Sequence, residues 1–133
     1  MFEHILEPAS FLKMIAACLS DNDRVVIKVP SLMDPLLVLY DSDAYGKSYF
    51  QSQHPYIYGP ASLIRVLEHN GCEVVETIAQ QRYGFDNHLN WLMTGKPGGS
   101  QKLREVFAGL DDDYRSTVID NGYSDTFFVI ART

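Results

Sequence analysis

Apolar residues recur along this chain with two different periods, and the alternation between them lays out the fold. After Pro8, which suits a first helical turn, Phe11, Leu12, Ile15, Cys18 and Leu19 repeat at helical spacing until Ser20, Asp21, Asn22 and Asp23 break the pattern. Cys18 is thereby expected on an apolar face. Residues 24–29 are β-branched at four of six positions, two of them adjacent valines, and predict a strand covered on both faces and stopped by Pro30. Asp34 and Pro35 predict a helix start with Leu36, Leu37 and Leu39 turned inward. Gly46, Pro55, Gly59 and Pro60 then punctuate a stretch expected to be mostly loop.

Pro60 opens a second amphipathic helix with Leu63, Ile64, Val66 and Leu67 inward, and Gly71 supplies the left-handed residue that ends it. Residues 72–83 alternate around Val74, Val75, Ile78 and Ala79 as a strand that stops at Gly84. A short helix is predicted over residues 87–94 around Leu89, Trp91 and Leu92, and a weak one over residues 101–108. Asp111 is expected to cap a further helix carrying Tyr114, Val118 and Ile119, with Gly122 past its end. Residues 125–131 close the chain as an apolar strand. The order predicts an α/β fold, one domain over residues 1–133, with a small sheet of about three strands flanked by helices and an aromatic-rich insert at residues 31–60.

Composition narrows the function. A chain of 133 residues with 46% hydrophobic side chains can bury one real core. A formal net charge of -6 offers no field to hold phosphates, which argues against nucleic acid. Apolar runs stay far below the roughly 20 residues that span a bilayer, so no membrane partner is expected. Two cysteines, Cys18 and Cys72, fit a reducing compartment, and a cytoplasmic location is expected. Two distant cysteines and four scattered histidines give no ligand spacing, so no metal is expected either. The acidic run at Asp111, Asp112 and Asp113 is better explained as helix cap and dipole partner. No Gly-x-Ser-x-Gly elbow or Cys-His arrangement appears.

Four phrases carry a resemblance. Phe2-Glu3-His4-Ile5 with Glu7-Pro8, the strand ending at Val29-Pro30, the run from Ser48 through His54 to Tyr58, and Tyr114-Arg115 with Gly122 to Thr126 are similar to the carboxyl-terminal half of class I S-adenosylmethionine-dependent methyltransferases, in the subgroup that includes sugar C-methyltransferases. The resemblance implies a partial Rossmann-like methyltransferase fold whose mixed sheet runs in the family order five, seven, six, with the last strand antiparallel. It also implies that Met1 falls where the family's fourth strand ends, and that the Gly-rich cofactor half is missing. No cofactor is then bound alone, and S-adenosylmethionine binds only if a complementary half is supplied. The partners implied are such an amino-terminal half, a small-molecule substrate, or a second copy of the chain covering the sheet edge left open.

By the same resemblance His54 stands where the subgroup places a general base, with Gln53 replacing the usual glutamate, and Glu3 and His4 line the substrate and cofactor cleft, His4 as a second catalytic candidate. A solvent-exposed amino terminus is the alternative for Glu3 and His4, and hydrogen bonding within the loop is the alternative for His54. Tyr49, Gln53, Tyr56 and Tyr58 are candidate substrate contacts, their rings suited to a sugar face or equally to packing the loop. Asn87 and His88 resemble a helix beside the substrate channel, with core packing as the other possibility. The chain is accordingly expected to be a truncated methyltransferase-like protein that is inactive alone, or a non-enzymatic binding or oligomerisation module.

Overall fold

The structure is a computed structural model and describes every residue except Asp21, so that part of the first predicted break lies outside the described residues. The elements are α1 (Pro8–Ala16), β1 (Val25–Pro30), α2 (Pro35–Val38), α3 (Asp43–Tyr49), α4 (Pro60–His69), β2 (Glu73–Gln80), α5 (Phe85–Thr94), α6 (Gln101–Phe107), α7 (Asp111–Asp120) and β3 (Thr126–Arg132), with short 3-10 turns at Phe2–His4 and Ala108–Leu110. They form two compact units. The first comprises Met1–Ser31, Ser52–Ala79 and Thr126–Thr133, the second Leu32–Gln51 and Gln80–Asp125.

The first unit is the sheet and its helices. The strand order is β1-β3-β2, and β1 runs antiparallel to β3 with Ile27 opposite Val129 and Val29 opposite Phe127. The fold is therefore α/β with the last strand central, and β1 is an edge. Leu12 of α1, Leu63 and Leu67 of α4, Ile27, Val29, Phe127, Val129, Ala131, Phe2, Tyr58 and Cys72 make one buried cluster. Pro8 and Pro60 sit at the first helical positions, where a missing N–H costs nothing. Gly71 follows α4 at φ +85, the left-handed geometry that a Cβ would oppose.

Three expectations for this unit need correction. Strand β1 is not covered on both faces: Ile27 and Val29 are buried, whereas Val26 is 59% exposed on the face it shares with Lys28, whose ammonium lies 4.9 Å from the Phe128 ring. Antiparallel pairing leaves one face free for such residues, so adjacent valines here mark edge-strand propensity and not double burial. On β2 only Val74 packs toward the core, while Val75 and Ile78 are exposed. Cys18 is exposed because α1 ends at Ala16, before the cysteine could join its apolar face; Cys72 is buried.

The second unit is helical. Asp34 caps α2, its Oδ1 accepting from the Leu36 amide at 2.8 Å, and Leu36 is buried. Leu39 is exposed, contrary to expectation, because α2 stops at Val38. The stretch expected to be loop contains α3, capped by Ser42, with Gly46 inside it where its bare Cα faces Leu37. On α5 Trp91 is buried but Leu92 is exposed. Asp111 does not cap α7; Leu110 holds that position, and the Asp111 carboxylate accepts instead from the Phe85 amide at 3.0 Å and pairs with Arg115 at 2.7 Å. Gly84 makes room for it, since a Cβ there would fall 1.9 Å from an Asp111 oxygen. No helix among the described residues is long and apolar enough to cross a membrane.

Candidate functional site

Six of the residues singled out in the sequence lie in the first unit. The 3-10 turn carries Glu3 and His4, and the segment after Ser52 brings Gln53 and His54 back to them. His4 Nδ1 donates to the backbone carbonyl of Gln53 at 2.7 Å, and the His4 and His54 rings lie 4.7 Å apart, centre to centre. Because a carbonyl only accepts, Nδ1 carries a proton, and in the neutral ring the lone pair is therefore on Nε2. That nitrogen faces Glu3 Oε1 at 3.7 Å. Glu3 is nearly buried; burial raises its pKa, but the hydrogen bond from the Met1 ammonium at 2.6 Å and the backbone bring it below the usual value, so it is ionised at neutral pH.

Tyr56 and Tyr58 stack with centroids 6.0 Å apart, and Tyr58 also packs on Phe2 at 5.6 Å. The Tyr56 hydroxyl donates to the Leu6 carbonyl at 3.3 Å. The Tyr58 hydroxyl is buried without a partner among the described residues, and burial pushes its pKa up to about 12. It is a neutral hydroxyl enclosed in the core cluster. The ring set against His54 is that of His4, and the two tyrosines stack on each other.

Tyr49, Asn87 and His88 belong to the second unit. The Tyr49 ring lies 5.4 Å from Tyr45, and Asn87 donates to the Gly98 carbonyl at 3.3 Å. His88 is fully buried, with Nδ1 bonded to the Tyr114 hydroxyl, which in turn meets the Tyr40 hydroxyl at 2.8 Å. Gln81 Nε2 lies 3.4 Å from His88 Nε2 and donates to Asp125 Oδ2 at 3.1 Å. A cleft of about 480 Å³ is lined by Arg82, Asp86, Asn87, Arg104 and Arg115, and its arginines are matched by Asp125, Asp86 and Asp111. Such a balanced lining carries no net pull on an anion.

No local signal marks the pair Asp34 and Tyr45, in which the phenol donates to Asp34 Oδ2 at 2.7 Å. Burial raises the Asp34 pKa to about 6, against the two hydrogen bonds that lower it, and burial lowers that of His88 to about 4. The two act with opposite signs. A raised carboxyl holds its proton in the folded chain while the unfolded chain releases it, so this contribution falls as pH rises from about 4 to 6. A depressed imidazole loses stability as pH falls from about 6.5 to 4, because the unfolded chain takes up the proton first. Each spans roughly 3 kcal/mol, so they largely offset each other. In Asp34→Asn the histidine acts alone, and the unfolding free energy is expected to rise by roughly 3 kcal/mol from pH 4 to 7 relative to the unsubstituted protein. Urea midpoints at stepped pH measure this, and parallel profiles for the two proteins would contradict a protonated Asp34.

A family model described as a methyltransferase domain matches residues 1–77 of this chain. The chain belongs to that methyltransferase domain family. Among solved structures it is similar to the crystal structure of a SAM dependent methyltransferase from Archaeoglobus fulgidus, with a TM-score of 0.50 and 15% identity over 100% of this chain. The likeness covers 56% of that longer chain. No curated protein sequence matches.

Proposed function

We propose that residues 1–133 carry the substrate-side half of an S-adenosylmethionine-dependent methyltransferase, in the subgroup similar to sugar C-methyltransferases. They do not transfer a methyl group until a cofactor-binding half, on the same or another polypeptide, joins them. The observation that supports this most is the pairing of His4 with His54 at 4.7 Å, with the Gln53 carbonyl fixing the His4 ring. In this arrangement His54 is the general base, His4 orients it or the substrate, and the exposed ring of Tyr56, backed by Tyr58, offers the wall that a sugar face needs. Gln53 contributes through its backbone, which makes the loss of a carboxylate at that position tolerable for holding His4.

Calorimetric titration of S-adenosylmethionine into the chain is expected to give a Kd weaker than about 100 µM, or about -5.5 kcal/mol. Low-micromolar binding would overturn the need for a second half. Addition of a hexose ligand is expected to move the imidazole NMR signals of His4 and His54 and leave that of exposed His69 in place. A uniform response would count against the site. The alternative, a non-enzymatic assembly module, draws on Val26, Val75 and Ile78, exposed at 59%, 43% and 42% on strands that a second copy could cover. It is favoured if the chain dimerises and neither titration responds.

A further inference from the structure

We propose that Glu3, His4 and His54 form a three-ligand site for a divalent transition-metal ion of the zinc class, with a fourth position open to an oxygen ligand. One ligand atom from each residue lies within 4.8 Å of the other two. Four-coordinate zinc holds nitrogen and oxygen ligands at about 2.0–2.2 Å, which puts neighbouring ligand atoms roughly 3.4 Å apart. The His4 Nε2 to Glu3 Oε1 distance of 3.7 Å is already close to that, and His54 is only half-buried, so its ring can turn to close the rest while Gln53 holds that of His4.

The electrostatics point the same way. Gln53 holds a proton on His4 Nδ1, so in the neutral ring a nitrogen lone pair and a carboxylate oxygen face each other at 3.7 Å with no hydrogen between them. A cation between two such acceptors removes their repulsion. A backbone carbonyl on the far nitrogen is also the usual outer-shell partner that fixes the tautomer of a ligating histidine. Glu3 is nearly buried and ionised, and its other oxygen is occupied by the Met1 ammonium, which leaves Oε1 as the ligand. Two imidazoles and one carboxylate with an open position are the ligand set of a reactive site and not of a structural one. An ion there would acidify a bound hydroxyl and so take over the proton-accepting role that His54 has in the metal-free chain, where its nitrogen is not a ligand.

The site shares side chains with the function proposed above but needs no methyl donor, so the two can fail separately. Titration of the full chain with Co²⁺, followed by visible absorption and then Zn²⁺ displacement, is expected to show one tetrahedral site of micromolar affinity or better. His4→Ala, His54→Ala and Glu3→Gln should each weaken binding at least about tenfold, while His69→Ala at the exposed end of α4 should leave it unchanged. His54→Gln keeps a polar side chain if the alanine variant fails to fold, and should weaken binding equally. Absence of the tetrahedral bands, or a His69→Ala loss as large as that of His54→Ala, would overturn the proposal. Protonation of His4 in place of metal binding would appear as the first of these outcomes.

Discussion

Asp125→Ala is expected to lower the free energy of unfolding by about 3 to 5 kcal/mol, through backbone amides left without an acceptor. The Asp125 carboxylate is buried and accepts from the Arg82 amide at 2.8 Å, the Tyr83 amide at 2.9 Å, Gln81 Nε2 at 3.1 Å and Arg82 Nε at 3.3 Å. Alanine strands two amides and one carboxamide N–H at once, each costing about 1–3 kcal/mol where water cannot reach. The arginine adds little to that loss, because its half-exposed side chain can turn to solvent. Asp125→Asn keeps the size and one acceptor oxygen and should lose about half as much. Urea denaturation of both variants decides it, and a loss below about 1 kcal/mol for alanine would mean that solvent already reaches these amides.

Phe127→Ala should cost about 3–5 kcal/mol by a different route, since it empties the centre of a packed cluster. Phe127 is fully buried on the central strand, opposite Val29, and belongs to the cluster with Leu63 and Leu67. Its neighbour Phe128 points to the other face, where it meets the Lys28 ammonium, and is only half-buried. Phe128→Ala should therefore cost well under half of that amount. Equal losses for the two would contradict the register of β3 against β1. The comparison separates a face of the sheet from a mere count of aromatic carbons.

The main lines of the fold were legible in the sequence because they rest on local signals. Pro8, Pro60 and Gly71 mark helix ends by backbone chemistry alone, and residues 125–131 have too few polar atoms to be anything but a strand. Helix α3 was missed because Gly46 reads as punctuation, although a Cβ at that position would only reach ordinary contact, 4.0 Å, with Leu37. The coverage of β1 was misjudged because two adjacent valines look the same on an exposed edge and in a buried centre. Of the candidate site, the residue types were visible but not their meeting: His4 and His54 are fifty positions apart, and spacing rules for ligands or catalytic pairs see only near neighbours. The Asp34 and Tyr45 bond and the Asp125 acceptor set are likewise products of packing, for which a single sequence carries no mark.

The two cysteines differ in a way that turns the protein into its own reporter. Cys18 is exposed, whereas Cys72 is buried in the sheet's cluster and burial pushes its thiol up. A thiol-reactive dye should thus add once to the native chain and a second time only when that cluster opens. The rate of the second addition clocks the opening of the sheet unit, with the first as an internal standard in the same sample. Any ligand held by the residues that the sheet unit brings together should slow that clock in proportion to how tightly it binds the closed form.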